Sequence, residues 1–315
     1  MIDLEVRAAL FANLSDLDPG DHIVVGCSGG ADSIALVRAA VHVGNELGLR
    51  VGAVVIDHQL QDNSSVVASN TSVLATELGA DPVVMIPVEV ATGPGAGGME
   101  AAARNARHSA FEFYANNNNA KAVLLGHTRD DQAETVLLGL ARGSGARSLS
   151  GMREIDGLYR RPLLSVSRDV VRASVSDLPT FEDPHNQDPR FGRVRVRSVV
   201  LPVLEAELGP GITPALARTA DMLRDDADAL DAIAATSVTT DVNELAQLPS
   251  AIRTRVLRIL AIDAGCNVND LTREHVLSIE GLITRWHGQG PLNLPGSINT
   301  TRAHGKLMFN KAPKE

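Results

Sequence analysis

The sequence is short of aromatic residues, with one Trp, two Tyr and six Phe among 315 residues. Its core must therefore be aliphatic, and a platform for stacking single-stranded nucleic acid is poorly supplied. Cysteine is nearly absent. Cys27 and Cys266 stand far apart, which excludes a disulfide scaffold and a four-cysteine zinc site. No apolar run approaches the ~18 residues that span a bilayer. The start, MIDLEVRAALFANLSDLDPGD, has neither a basic leader nor a continuous apolar stretch, so no signal peptide is expected. A basic surplus is missing too. There are 38 acids against 29 Lys and Arg, a net charge of −9, so the whole chain carries no cationic footprint for nucleic acid. The expectation is a cytoplasmic protein with no membrane partner.

What is present is ordinary for a globular protein: 44% hydrophobic and 21% charged residues, which argues against global disorder. Charge is unevenly spread. Residues 142–197 hold 11 Arg and 7 acids, whereas 205–244 hold 9 acids and 2 Arg. The basic segment, with part of the C-terminal region, is the expected contact for a polyanion.

Short apolar runs at 22–26, 51–56, 83–88 and 122–126 read as buried strands. Helix-length segments at 32–49, 64–79 and 99–119 separate them. Strands apolar on both faces, alternating with helices, predict an α/β fold with a doubly wound parallel sheet. Further helices are expected near 167–178, 193–208, 214–235, 250–264 and 272–287, followed by strands and turns. Gly209-Pro210-Gly211 is the strongest break. It predicts a domain over 1–208 and a smaller, mainly helical one over 209–315.

The strongest local signal is VVGCSGGADS at 24–33, which closes the first strand and opens a helix. Gly29 and Gly30 allow backbone to approach an anion, and successive amides at a helix N-terminus favour phosphate. The candidate phosphate-binding set is Ser28, Gly29, Gly30, Ala31, Asp32 and Ser33. The loop is neither a Walker A loop nor a GxGxxG turn. A carboxylate here would repel a bare anion, so Asp32 points to a bridging Mg²⁺; its alternative is complementing the helix dipole. Asp57 closes the second strand and is counted with the candidate nucleotide-binding residues. After the fourth strand, His127 and Asp131 are four residues apart, and Asp131 and Glu134 three. Carboxylates beside a phosphate loop can hold a metal or accept a proton from an amine. Thr128 and Asp131 also fit a helix-capping pair. Glu100 begins the third helix, and Arg104 and Arg107 follow one turn apart, as phosphate contacts or as a solvated pair.

SGGADS matches the signature of the N-type ATP pyrophosphatases. GHTRDDQAETVLLGLARGSGARSLSGM at 126–152, RPLL at 161–164 and FEDPHNQDPRFGRVRVRSVVLPVLE at 181–205 narrow the likeness. Over residues 20–208 the chain resembles the tRNA(Ile)-lysidine synthetases, although Val194 stands where that family usually has Asn. The resemblance implies an adenine nucleotide alpha hydrolase-like fold and a C-terminal domain that binds tRNA. It implies a two-step ligation. ATP first adenylates the wobble cytidine of the CAU anticodon of tRNA(Ile), releasing pyrophosphate. The ε-amine of free L-lysine then displaces AMP to give lysidine. ATP and Mg²⁺ would be the cofactors. His127 would also contact the nucleotide. Asp131, His127, Arg107 and Asp32 would be catalytic. Glu100, Arg104, Arg107, Asp131, Glu134, Arg193, Arg195 and Arg197 would bind lysine or tRNA. Another enzyme of the superfamily, a small-molecule amidating synthetase or a tRNA thiolase, is the alternative. The lack of any CxxC pair argues against sulfur transfer. Oligomeric state stays open.

Overall fold

The computed structural model describes residues 3–57, 59, 63–88, 99–143, 145–183 and 187–311, with the side chains of 99–101 left aside. The chain divides into two compact units, Met1–Asp221 and Met222–Glu315. The break expected near 209 lies between two helices, and the division itself falls later, at Asp221.

The first unit opens with α1 (Leu4–Leu14). It continues β1 (His22–Cys27), α2 (Ala31–Leu47), β2 (Arg50–Asp57), α3 (Ser64–Glu77), β3 (Val83–Pro87), α4 (Met99–Asn117), β4 (Ala120–Leu124) and α5 (Arg129–Ala141). Then come α6 (Ala146–Leu149), a hairpin of β5 (Ile155–Asp156) and β6 (Tyr159–Arg160), and α7 (Arg168–Ala173). A bent helix follows, formed by α8 (Gly192–Arg195), a π-helical turn (Val196–Val200) and α9 (Leu201–Leu208). The helix expected over 167–178 is shorter, because α7 ends at Ser174 in successive turns.

The six strands lie in the order β3-β2-β1-β4-β6-β5. All neighbours are parallel except the β5–β6 hairpin. The period of two along each strand sorts its side chains onto opposite faces. Ile23, Val25, Val51, Val55, Ala122 and Leu124 enter one core with α1, α2 and α7. Val24, Val54 and Val123 pack on Phe111 and Tyr114 of α4. Gly26 makes room there, since a Cβ on it would lie 2.6 Å from the Phe111 ring.

Chain order reverses between β1 and β4. Helices covering successive parallel strands switch sides at that point, which leaves a crevice beyond the carboxyl ends of those two strands. The loops entering α2 and α5 therefore flank one cleft.

The second unit contains most of α10 (Ile212–Thr236), then α11 (Val242–Gln247), α12 (Ser250–Asp263) and α13 (Arg273–Thr284). A three-stranded antiparallel sheet follows, β7 (Leu292–Leu294), β8 (Ile298–Ala303) and β9 (Lys306–Lys311). Leu245, Val256, Leu257, Ile279 and Leu282 pack with Leu294, Ile298 and Leu307 in its core. Among the described residues no single helix is long and apolar enough to cross a membrane.

Candidate active site

The Gly-rich loop leaves β1 at Cys27 and enters α2 with Gly30 as its N-cap. Gly29 adopts φ +81°, where an L side chain is strained, and a Cβ there would meet Thr71 Oγ1 at 2.4 Å. The two serines differ. Ser28 is exposed at the mouth of the loop. Ser33 is buried, and its Oγ accepts from Ser28 N–H at 3.1 Å and donates to Gly30 O at 2.9 Å. The Ser33 hydroxyl thus holds the loop closed on itself, whereas the sequence reading gave it to a phosphate. Cys27 is a buried filler whose thiol burial pushes upward in pKa.

Asp32 stands in the first turn of α2. Its Oδ1 is buried with no hydrogen-bond partner among the described residues, and the Arg172 Nε lies 3.8 Å away. Burial first, then the charge of Asp131, pushes its pKa up against the pull of Arg168, Arg172 and Arg197. An unpartnered carboxylate oxygen beside a phosphate loop is suited to Mg²⁺, which takes one or two carboxylates and completes its shell with phosphates and water. Among the described residues no three ligating side chains gather, so the nucleotide would have to supply the rest.

Across the crevice, Asp131 splits its two oxygens. Its Oδ2 accepts from Thr128 N–H at 2.8 Å and from Thr128 Oγ1 at 2.9 Å, capping α5. Its Oδ1 accepts from Arg168 Nη2 at 2.9 Å. The same Nη2 donates to Glu134 Oε1 at 3.0 Å, and Glu134 is fully buried. Arg197 reaches Glu134 through Nε at 2.7 Å and Nη2 at 3.1 Å, and Asp131 Oδ1 at 3.4 Å. Arg193 stands 3.4 Å from Glu134 Oε2 and donates to Thr135 Oγ1 at 3.1 Å. Two carboxylates are thus clamped by three guanidinium groups. Burial alone would raise the Asp131 pKa. The charge of Arg168, with the Thr128 hydrogen bonds, overcomes it and holds Asp131 below the usual carboxylate range.

Of the three arginines expected to bind lysine or tRNA, Arg193 and Arg197 belong to this clamp. Arg193 and Arg197 are one turn apart and face α5 together, drawn in by the packing of Val196 and Leu201 on Ala133. Arg195 points elsewhere and donates to Pro189 O and Arg190 O at 2.7 and 2.9 Å.

His127 sits in the loop between β4 and α5, with Nδ1 buried and unpartnered among the described residues. Burial, reinforced by Arg161, Arg107 and Arg193 against the attraction of Asp131, lowers its pKa to about 3. Its imidazole is therefore neutral at physiological pH. Arg107 is half-buried, and burial and the neighbouring Arg104 charge lower its pKa; Arg104 itself is exposed. Asp57 is buried at the end of β2, with Oδ1 accepting from Gln59 N–H at 3.0 Å. Glu100 falls within α4, but its side chain lies outside the described residues.

Two residues escaped the sequence reading. Arg168 bridges the carboxylate pair, and buried Arg161 bears on His127. Arg168 had left a signal: a cation in the first turn of a helix opposes the macrodipole, which calls for a compensating partner. Arg161 opens RPLL, whose apolar residues gave no hint of a charge facing the crevice.

Comparison with known proteins agrees with this architecture. Residues 4–204 match the PP-loop domain model and residues 241–308 the TilS substrate binding domain model. The tRNA(Ile)-lysidine synthase of Thermobifida fusca (strain YX) is 51% identical over 315 aligned residues, covering 97% of this chain and 96% of that protein. That of Streptomyces coelicolor is 48% identical, covering 92% and 85%. In fold, the chain resembles the U34-tRNA thiolase NcsA from Methanococcus maripaludis, with a TM-score of 0.56 at 15% identity over 70% of this chain and 78% of that one. The glycine loop on β1, the acidic turn of α5 facing it and these near full-length similarities place the chain in the tRNA(Ile)-lysidine synthase family.

Proposed function

We propose that this chain ligates free L-lysine to C2 of the wobble cytidine in a tRNA(Ile) with a CAU anticodon, consuming ATP and releasing AMP and pyrophosphate. The observation that carries the reading is the opposition of two loops across one crevice, with Asp32 in one and His127 and Asp131 in the other, in a chain this similar to tRNA(Ile)-lysidine synthases.

The amides of Gly29–Asp32 and the exposed Ser28 hydroxyl hold the ATP phosphates. Asp32 would hold Mg²⁺, which when bound neutralises phosphate charge. Arg107 and neutral His127 face the charge that develops on the cytosine carbonyl oxygen; an uncharged imidazole N–H can donate there without a proton being lost.

Lysine arrives as a cation. The Asp131–Glu134 pair attracts it but is already matched by three arginines. The ammonium therefore joins the pair by displacing Arg193 or Arg197, which are 32% and 28% exposed, while Arg168, at 9%, stays. Guanidinium neighbours then disfavour the charged form of the amine and ease the passage of its proton to solvent before attack. A carboxylate held at low pKa serves better as ion-pair partner than as base.

The test is a single-turnover assay with labelled ATP, labelled lysine and a CAU-anticodon tRNA transcript. Adenylated transcript should form first and lysidine second. Pyrophosphate release without lysine in the RNA would reject the reading. Asp131→Asn should slow lysine transfer more than adenylation, because the ammonium loses its ion-pair partner.

A further inference from the structure

The short helix α7 is held at both ends. At its start, Ser167 caps it through Val170 N–H, and Arg168 N–H donates to Asp130 Oδ2 at 2.8 Å. Just past its end, Arg38 of α2 donates to Ser174 O at 3.0 Å and to Asp177 Oδ1 at 2.8 Å. Val171 and Val175 are buried in one core with α2. The chain that follows returns to the glycine loop, where Phe181 N–H donates to Gly29 O at 2.8 Å. The side of α7 that faces the crevice is therefore fixed.

Arg168 and Arg172 stand one turn apart on that side. Arg168 is 9% exposed and is engaged by Asp131 and Glu134. Arg172 is 52% exposed. Among the described residues its guanidinium makes no hydrogen bond, and its ion pair is with Asp32 Oδ1, 3.8 Å from Nε. Asp32 lies in the first turn of α2, so this cation stands beside the helix N-terminus and loop amides that suit phosphate. A half-exposed ion pair without a hydrogen bond contributes little to stability. A cation in the last turn of a helix is favoured by the macrodipole wherever its head points, which does not account for the reach to Asp32. One helix thus carries one arginine to the amine-handling half of the crevice and another to the phosphate half.

We propose that Arg172 is a pyrophosphate contact: its guanidinium leaves Asp32 for the β- and γ-phosphates of bound ATP and stays with them as pyrophosphate forms. The proposal rests on the function proposed above. In adenylation the cytosine carbonyl oxygen bonds to the α-phosphorus. The bond from that phosphorus to the oxygen bridging to the β-phosphate breaks, and its electron pair stays on pyrophosphate. Negative charge gathers on the leaving group as that bond lengthens. A guanidinium meets phosphate oxygens in pairs and keeps its proton, so it can neutralise this charge without taking part in proton transfer. Exposure decides which arginine is free to turn: Arg168 is locked between two buried carboxylates, whereas Arg172 has solvent on the side away from Asp32. AMP lacks both outer phosphates and does not engage it.

The experiment uses the full chain with Mg²⁺ and titrates inorganic pyrophosphate, ATP and AMP separately by calorimetry. Arg172→Gln should weaken pyrophosphate and ATP about ten- to 150-fold, the scale of one charged hydrogen-bonded contact, and AMP less than about two-fold. Arg172→Lys should fall between, because an ammonium keeps the charge and loses the fork. Without ligand, Arg172→Gln should melt within about 2 °C of the parent, as a surface change does. Arg7→Gln removes an exposed cation that pairs with Glu46, roughly 21 Å along α2 from Asp32, and should bind all three ligands like the parent. If Arg172→Gln melts far lower, Arg172→Lys decides by the same comparison. Parent-like pyrophosphate and ATP affinity would overturn the proposal, as would an equal loss for AMP or a parent that binds no pyrophosphate. The titrations need neither tRNA nor lysine, so the two readings separate. Pyrophosphate-selective loss in a chain that puts no lysine into RNA removes the function and keeps the contact. Lysine incorporation with an unchanged KM for ATP in Arg172→Gln removes the contact and keeps the function.

Discussion

Arg168 Nη2 lies 2.9 Å from Asp131 Oδ1 and 3.0 Å from Glu134 Oε1, so one nitrogen ties together two carboxylates on one face of α5. Its backbone N–H also donates to Asp130 Oδ2 at 2.8 Å. All three acids of the α5 entry are thereby fixed to the start of α7. Arg168→Met should destabilise the protein by ~3–5 kcal/mol, because it strands buried charge; urea denaturation gives the value. Arg168→Lys should recover part of this loss, since one ammonium cannot match the planar fork. A change below ~0.5 kcal/mol for Met would show that Arg193 and Arg197 suffice.

The same pair sets an acid limit. Asp131 has a folded pKa below its unfolded value. Its stabilising contribution is therefore present above the ordinary carboxylate range and is lost as pH falls through the lower, folded value. Asp131→Asn should show a smaller loss of stability on acidification than the parent, measured by thermal melts from pH 6 downward. Identical pH dependence would place the acid sensitivity elsewhere.

Asp32 has the opposite sign. Its raised pKa means that the ionised form is disfavoured in the folded chain at neutral pH. Asp32→Asn should therefore raise the melting temperature at pH 7 while lowering adenylation at least ~10²-fold. A variant that is less stable, or that turns over normally, would contradict the assignment.

His127 gives a third pH signature. Its unfolded pKa is about 6.5 and its folded value about 3. The unfolded state takes up the proton first, so stability falls as pH drops from about 6.5 toward 3. His127→Gln removes that titration and should flatten the stability–pH curve across this window. The parent rate profile should show no limb near pH 6–7 from this residue.

The arginines of the bent helix separate by role. Arg193→Gln and Arg197→Gln should lower stability and impair lysine transfer with little change in the salt dependence of tRNA binding. Arg195→Gln, on the exposed side, should leave the lysine step near normal. A salt slope reduced by about 0.7–0.9 in Arg193→Gln would mean that this side chain turns outward to RNA.

The four central strands and their helices were legible because each strand is an aliphatic run between helical segments. The glycine loop was legible because SGGADS combines positive-φ capacity with a following helix. Less visible was α1, whose apolar residues give no clear stripe, and the β5–β6 hairpin, whose strands have two residues each. The clamp on Asp131 and Glu134 joins residues 34 to 66 positions apart. No local spacing encodes such a pairing. The turn of Arg193 and Arg197 toward α5 goes with the packing of Val196 and Leu201 on Ala133, a contact between distant segments that no residue pattern announced.

Gly126 sits against the other wall of the crevice: a Cβ on it would lie 3.0 Å from the Asp32 carbonyl oxygen and 3.4 Å from the Ser33 Cα. The two loops therefore meet backbone to backbone. The gap between the phosphate-binding and amine-handling halves is set by main-chain thickness and not by the bulk of any side chain. Substitutions around the crevice can alter its chemistry while leaving its calibre alone, whereas one methyl group at position 126 would act as a spacer and pull both reactions out of alignment.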